Sequence, residues 1–219
     1  MDQVIIWVLF LLPFQGVNAI LEGYITGLAM IVFIGPVFFT LIQTTIQYGA
    51  KAGFAVTLGI FISDVIIAAL CLFGAVEFFE NARHQFWLAL AGGAILFFIG
   101  FKYILRPTVN NVSDFKPSVF SLSSFFAKGF LINFVNPFVF MVWISITALA
   151  KIRFDSWNEI MPFLGAALLG ILTTDSLKVI LAERVQKFLN PVVLRKIFFV
   201  TGLILICFGI RFFYFAFMQ

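Results

Sequence analysis

The chain has 219 residues, of which 63% are hydrophobic and 11% are charged, and its formal net charge is +4. An ordinary soluble domain has about 25% charged residues, so a water-soluble fold could not cover this much apolar surface. The apolar residues form stretches of about 20 or more that do not alternate with polar ones, which indicates membrane-spanning helices rather than the strands of a transmembrane barrel. The composition predicts an all-α integral membrane protein.

The sequence contains little that favours an enzyme, a bound cofactor or a metal centre. Cys71 and Cys207 lie in different apolar stretches without a CxxC motif, and His84 is the single histidine. We find no phosphate-binding loop, nucleophile elbow or zinc-binding helix motif. The basic residues lie beside apolar stretches, where membrane lipid and topology explain them better than a nucleic-acid partner does.

Residues 1–19 form an apolar N-terminal segment that stands apart from the rest. Its run from Val4 to Phe14 is too short to span a bilayer comfortably. The sequence from Val17 to Ala19 resembles the cleavage site of a signal peptide, yet Asp2 stands where such a peptide is positively charged. A signal-like segment, an interfacial segment and a start site assigned too far upstream are therefore open alternatives.

Polar segments divide the remaining chain into predicted membrane spans. The six spans lie near 20–47, 53–77, 85–105, 125–150, 159–182 and 197–217. The longest polar connection, 107–124, contains Pro107, Pro117 and several Asn and Ser residues that favour turns. It separates a first three-helix unit, 20–106, from a second, 125–217.

The basic residues predict how the spans are oriented. Those in the connections after spans 1, 3 and 5 outnumber those on the opposite side, and the positive-inside rule places the larger group in the cytoplasm. The larger group is Lys51, Lys102, Arg106, Lys116, Lys128, Arg184, Lys187, Arg195 and Lys196, and the smaller is Arg83, Lys151, Arg153 and Arg211. We therefore expect a multi-pass protein of the inner cell membrane whose mature termini both lie outside the cytoplasm.

The two units contain related sequences. Three segments of the first unit recur in the same order in the second: 35–39 and 136–140, 58–64 and 169–175, and 93–96 and 202–205. Because each unit has an odd number of spans, the second copy must enter the membrane in the opposite direction. The sequence therefore predicts two inverted three-helix repeats, the architecture of many secondary transporters, in which the substrate site lies between the repeats.

A proline interrupts the first helix of each predicted repeat. Within a helix, Pro36 would leave the carbonyl of Val32 unpaired, and Pro137 would do the same to the carbonyl of Asn133. Freed carbonyls of this kind can bind a substrate or an ion, although a simple kink is the alternative. Since both prolines occupy equivalent places, after Gly35 and Asn136, we predict that the two broken helices form a substrate site.

One aspartate lies about midway along a span in each unit. An ionised carboxylate at this depth is costly unless it is paired or faces water. Asp64 and Asp175 are therefore candidates for proton or ion coupling, with a structural hydrogen bond as the alternative. Lys178 lies one turn beyond Asp175, so an i,i+3 ion pair is expected. This lysine is also a candidate partner for a substrate carboxylate.

Polar residues follow each break at helical spacing. The stripes contain Thr40, Gln43, Thr44 and Gln47 after the first break, and Asn133 and Asn136 at the second. They either face a cavity or join helices through hydrogen bonds, and we include Thr40, Asn133 and Asn136 among the predicted substrate-binding residues. The small residues Gly23 and Gly27 allow close helix packing within or between subunits, which leaves a homo-oligomer open.

With these motifs, the chain resembles the LysE-type amino-acid exporter family. The resemblance covers nearly the whole chain after residue 19 and rests on 27–36, the turn 48–53, the LGIFISD segment 58–64 and the segment 126–137. It implies a six-helix inner-membrane translocator that exports amino acids or related metabolites, commonly in exchange for protons.

Two residues depart from the family pattern. Ile34 replaces the first proline of a Pro-Gly-Pro motif, and Phe138 replaces the lysine that often follows the second Asn-Pro. A basic contact of some relatives is thus absent, so their substrate preference does not carry over to this chain.

The predicted function is proton-coupled export of an amino acid or a related small zwitterionic metabolite. The expected partners are this substrate, protons and membrane lipid. The alternative is an inorganic-ion transporter, for a metal cation, on the same scaffold. The shortage of His, Cys and clustered carboxylates argues against it.

Overall fold

The computed structural model describes residues 18–32, 35–73, 82–105, 119–186 and 191–218. Within these ranges all regular structure is helical. The eight α-helices are α1 (Ala19–Ala29), α2 (Pro36–Tyr48), α3 (Ala50–Leu72), α4 (Ala82–Leu105), α5 (Val119–Phe134), α6 (Pro137–Arg153), α7 (Trp157–Gln186) and α8 (Pro191–Phe217), and a 3-10 turn, Met30–Val32, follows α1. The all-α prediction is confirmed, whereas the predicted segment 1–19 lies almost entirely outside the described residues.

Two helix pairs meet at sharp bends where the sequence predicted broken helices. The direction changes by 77° between the segment Ala19–Val32 and α2, and by 68° between α5 and α6. Helix α5 begins at Val119, inside the range 107–124 that the sequence assigned to the connection between units.

Several of the described helices are suited to crossing a membrane. The ranges Ala50–Leu72, Trp157–Val185 and Arg195–Phe217 are each long and apolar enough to do so. Counting each bent pair as one span raises the number to as many as five among the described residues. The shorter apolar range Ala89–Leu105 covers most of the third predicted span. The chain is therefore a multi-pass membrane protein, and the third predicted span, with it the total of six, stays a prediction.

The most extensive contacts pair a helix of the first half with a helix of the second. Helix α1 packs on α7, α3 packs on α5, and α4 packs on α8. Glycines allow the backbones of α3 and α5 to approach closely. A Cβ built on Gly59 would lie only 2.1 Å from the Phe126 carbonyl oxygen, and one built on Gly129 would lie 2.3 Å from the Val56 carbonyl oxygen, so neither position has room for a side chain.

The small-residue face of α1 is used inside the molecule. A Cβ on Gly23 would lie 2.1 Å from the Phe163 carbonyl oxygen, and one on Gly27 would lie 2.1 Å from that of Ala167. Helix α7 therefore covers this face, and self-association stays a prediction with no support from these two glycines.

Candidate functional site

A cavity of about 110 Å³ lies where the two bent pairs meet α3 and α7. Six of the nine residues that the sequence singled out line it, namely Gly35, Asp64, Asn133, Asn136, Asp175 and Lys178. The other three, Pro36, Thr40 and Pro137, are not among the lining residues. Residues at both helix breaks and both intramembrane aspartates thus line one cavity.

Asp64 is tied to the second half of the chain. Its side chain is buried on α3, and its Oδ1 accepts hydrogen bonds from Asn133 Nδ2 at 2.8 Å and from Trp143 Nε1 at 2.9 Å. Asn133 Nδ2 also lies 3.2 Å from Ser63 Oγ. Hydrogen bonds to an ionised acceptor are stronger than neutral ones, so this cluster stabilises a carboxylate at membrane depth.

Trp143 is a site residue that sequence reasoning missed. It is 1% exposed, and its indole faces the cavity that Asp64 also lines. A buried tryptophan usually finds a partner for its N–H. The position of Trp143 in the middle of a predicted span could therefore have indicated a hydrogen-bond acceptor on a neighbouring helix.

The second aspartate has a different environment. Asp175 Oδ1 lies 2.9 Å from Lys178 Nζ, which confirms the predicted i,i+3 ion pair. The ammonium group of Lys178 also lies 5.9 Å from the centre of the Phe38 ring on α2, within the range of a cation–π contact. The two aspartates therefore differ, because Asp64 has neutral hydrogen-bond donors and Asp175 has a cationic one.

The second helix break forms in a different way from the one expected. Pro137 is the first residue of α6 rather than an interior residue, and the missing N–H of a proline costs nothing there. The Asn133 carbonyl accepts a hydrogen bond from the Asn136 N–H at 3.2 Å, so the prediction that it is left unpaired was wrong. Asn136 caps α6 by accepting from the Phe138 N–H at 3.1 Å.

Pro36 begins α2 in the same manner, directly after Gly35. It follows that both breaks are starts of new helices, not prolines inserted into continuous ones. The Val32 carbonyl, which the sequence expected to be unpaired, lies next to residues 33–34 outside the described ranges.

The polar stripe of α2 is buried in helix packing. Thr40, Gln43, Thr44 and Gln47 are all buried. Thr44 Oγ1 accepts a hydrogen bond from Lys128 Nζ at 3.0 Å. Within the described ranges, Thr40 Oγ1 and Gln43 Oε1 have no hydrogen-bond partner. Thr44 therefore joins α2 to α5 through a hydrogen bond, which is one of the two roles that the sequence left open for the polar stripe.

The sequence counted Lys128 with the basic residues of the cytoplasmic connections, although it falls inside the predicted span 125–150. It lies in α5, where its Nζ donates to Thr44 Oγ1 and to the Tyr103 hydroxyl. The reason is that α5 begins at Val119, so Lys128 falls on a helical face that packs inward. This lysine therefore contributes less to the count of exposed cytoplasmic charge than the sequence indicated.

A metal site finds no support in the part of the chain that the structure describes. No group of three or more His, Cys, Asp and Glu side chains there is close enough to hold a metal ion. Three such ligands are the usual minimum for a protein metal centre.

Comparison with known proteins identifies the family of the chain. The model of the LysE type translocators matches residues 28–215, which include both bends and the whole cavity. The chain belongs to the LysE type translocator family. Members of this family are transporters, so the chain is a transport protein and not an enzyme.

Two curated relatives are similar over most of the chain. One is the "Putative amino acid efflux protein YcgF" of Bacillus subtilis (strain 168), 28% identical over 203 residues that cover 90% of this chain and 96% of the relative. The other is the "Uncharacterized membrane protein YahN" of Escherichia coli (strain K12), 26% identical over 155 residues that cover 68% of this chain and 70% of the relative. No solved structure matches the chain significantly.

Proposed function

We propose that this translocator exports an amino acid or a similar small zwitterion across the inner membrane in exchange for protons. The observation that carries the proposal is the position of Asp64, which lines the cavity between the bent helices and binds Asn133 and Trp143. The Asp175–Lys178 ion pair lines the same cavity. The Bacillus subtilis relative named for amino acid efflux supports the substrate class.

We further propose that the fold consists of two inverted repeats. The reciprocal packing of α1 on α7 and of α5 on α3 supports this arrangement, because each pair joins the first helix of one repeat to the second helix of the other. Helices α4 and α8, the third of each repeat, pack on one another. Both mature termini then lie outside the cytoplasm, and the cavity opens alternately to the two sides as the repeats move.

Asp64 is the proposed coupling group. It exchanges a proton as the cavity changes sides, and a carboxylate that must alternate between charged and neutral forms is best placed where no cation is hydrogen-bonded to it. The described hydrogen-bond donors of Asp64 are neutral, whereas Asp175 is paired with Lys178. We therefore assign Asp175 a supporting role in substrate binding.

The experiment uses the purified chain in proteoliposomes loaded with a mixture of the common amino acids. Under an imposed pH gradient, mass spectrometry of the external medium identifies the substrate that leaves. We expect the wild type to release at least one amino acid faster with the gradient than without it. Asp64→Asn should remove this acceleration, whereas the exposed Asp155→Asn should retain it.

Two results would contradict the proposal in distinct ways. If the wild type releases no amino acid with or without the gradient, the proposed function is wrong. If Asp64→Asn retains full acceleration, the function stands and the assignment of Asp64 is wrong. Thermal unfolding of both variants in detergent checks that each is folded.

A further inference from the structure

Asp64 offers one carboxylate oxygen to the cavity. Its Oδ1 already accepts from both Asn133 and Trp143, whereas its Oδ2 has no hydrogen-bond partner among the described residues. Asp64 is only 4% exposed, yet it lines the cavity. An oxygen of a buried carboxylate with no donor is a binding position for a cationic group.

Two hydrogen-bond donors face the same cavity. Lys178 has three N–H donors, of which one is directed to Asp175 Oδ1 within the described structure. Asn136 uses its Oδ1 to cap α6, and its Nδ2 group has no partner in the described ranges. These donors form a binding position for an anionic group.

Most of the remaining wall is apolar. Both bent pairs contribute to it, together with α3 and α7, through side chains that include Met30, Val37, Leu41, Ile60, Val142 and Ile171. Thr174 also lines the cavity, but its hydroxyl donates to the Ile171 carbonyl at 2.8 Å. The second described carboxylate of the wall, Asp175, is charge-balanced by Lys178, so a second cation on the ligand would have to compete with that ion pair.

Among the described residues, the cavity therefore presents one carboxylate that is not paired with a cation, donors for one anion and a largely apolar remainder. Its volume of about 110 Å³ suits a small ligand, given that one water needs about 10–15 Å³. We propose that the ligand is an amino acid with an uncharged, apolar side chain, a proposal that rests on the proposed function. The ammonium group of this amino acid binds Asp64 Oδ2, and its carboxylate binds Lys178 and Asn136.

This placement makes the ammonium group and the exchanged proton competitors for one oxygen. Helix α7 brings two charged groups, Asp175 and Lys178, into electrostatic range of Asp64. Of the other helices packed on α3, α2 contains no Asp, Glu, Lys or Arg, α5 directs Lys128 to Thr44 and Tyr103, and α6 directs Lys151 to the Leu72 carbonyl and Arg153 to Glu22. This competition couples proton uptake to substrate release. Asp64 releases the substrate when it binds a proton, and it binds the substrate again only after releasing that proton.

The first test measures binding to the purified wild type by calorimetry, with L-valine, L-alanine and L-leucine compared with L-lysine and L-glutamate. A charge-assisted hydrogen bond is worth roughly 10- to 100-fold in affinity. We expect the three neutral amino acids to bind at least 10-fold more tightly than lysine or glutamate. Equal or tighter binding of lysine would overturn the assigned side-chain class.

The second test uses two analogues of valine that each lack one charged group. Isobutylamine lacks the carboxylate, and isovalerate lacks the amine. Asp64→Asn should weaken the binding of L-valine and isobutylamine roughly 10- to 100-fold and leave isovalerate unchanged. Lys178→Gln should weaken L-valine and isovalerate and leave isobutylamine unchanged. An equal loss for both analogues in either variant would overturn the orientation.

The third test needs no variant and so does not depend on the folding of one. Below the midpoint of the competing titration, the dissociation constant of L-valine and of isobutylamine should rise tenfold per unit decrease in pH, while that of isovalerate stays constant above pH ~6. The same pH dependence for isovalerate would overturn the competition. If the wild type binds and transports no amino acid at all, the proposed function fails, which is a different result from altered selectivity.

Discussion

Trp143 on α6 donates its indole N–H to the Oδ1 of Asp64 on α3 over 2.9 Å. The two residues are far apart in sequence and belong to different halves of the chain. The bond therefore links the bent pair of the second half to the aspartate of the first. It fixes which oxygen of Asp64 is occupied by protein donors and which remains for a ligand.

Replacing Trp143 by phenylalanine tests this link. Trp143→Phe keeps an aromatic ring and removes the donor, so we expect a loss of about 1–2 kcal/mol in the free energy of unfolding, at the upper end for interhelical hydrogen bonds in membranes. In an Asp64→Ala background the same change should cost less, because the acceptor is already gone. The exposed Trp87→Phe is the control and should change stability little. Equal costs of Trp143→Phe in both backgrounds would contradict the coupling.

Two glycines that both lie inside helices should differ in how their replacement by alanine changes the melting temperature. A Cβ on Gly129 would lie 2.3 Å from the Val56 carbonyl oxygen, so Gly129→Ala must push α3 and α5 apart and should lower the melting temperature. Gly165 has no heavy atom within 4 Å of its Cβ position, so Gly165→Ala should be neutral or stabilise α7 by up to about 1 kcal/mol. Similar melting temperatures for the two variants would refute the close approach.

The cap of α6 predicts that replacing Asn136 lowers stability more than replacing Pro137. Asn136→Ala removes the acceptor for the Phe138 N–H and should cost about 1 kcal/mol. Pro137→Ala restores an N–H at the first helical position, where it has no helical partner, and should cost less. Thermal unfolding in detergent ranks the two. A larger loss for Pro137→Ala would show that the proline, not the cap, creates the break.

A largely buried ion pair joins α1 to the end of α6. Glu22 Oε1 lies 2.9 Å from Arg153 Nη2, and the side chains are 7% and 14% exposed. Glu22→Gln or Arg153→Gln removes one charge of this pair and should destabilise by up to about 3 kcal/mol, the lower end for a buried pair. The double variant should lose less than the sum of the two single losses. The exposed Glu159→Gln provides a control with little expected change.

The proposed orientation predicts opposite labelling of two lysine positions. Lys51 and Lys151 are both exposed, at the start of α3 and near the end of α6. With Cys71 and Cys207 replaced by alanine, Lys51→Cys should react with an impermeant maleimide only in inside-out vesicles, and Lys151→Cys only in intact cells. The reverse pattern would invert the topology, and labelling of both positions from one side would contradict the inverted repeats.

Much of the site could be predicted from local sequence. The Asp175–Lys178 pair follows from i,i+3 spacing on one helix, and the bends occur at the Gly35-Pro36 and Asn136-Pro137 sequences. The convergence of these elements on one cavity was predicted only as a consequence of an internal repeat. Membrane depth made Asp64 and Asp175 candidates before any contact was known, because an ionised carboxylate there needs a partner.

The sequence by itself determined the membrane class, the helical fold, the helix breaks and the local ion pair, because composition and periodicity act within one helix. Only the tertiary structure decided that Trp143 and Asn133 bind Asp64, that Lys128 lies between Thr44 and Tyr103, and that Asn136 satisfies the carbonyl of Asn133. The first two depend on which helix faces which, and small residues such as Gly59 and Gly129 set that by allowing particular backbones to meet. The third depends on the path of the chain between two helices, which the position of a proline alone does not specify.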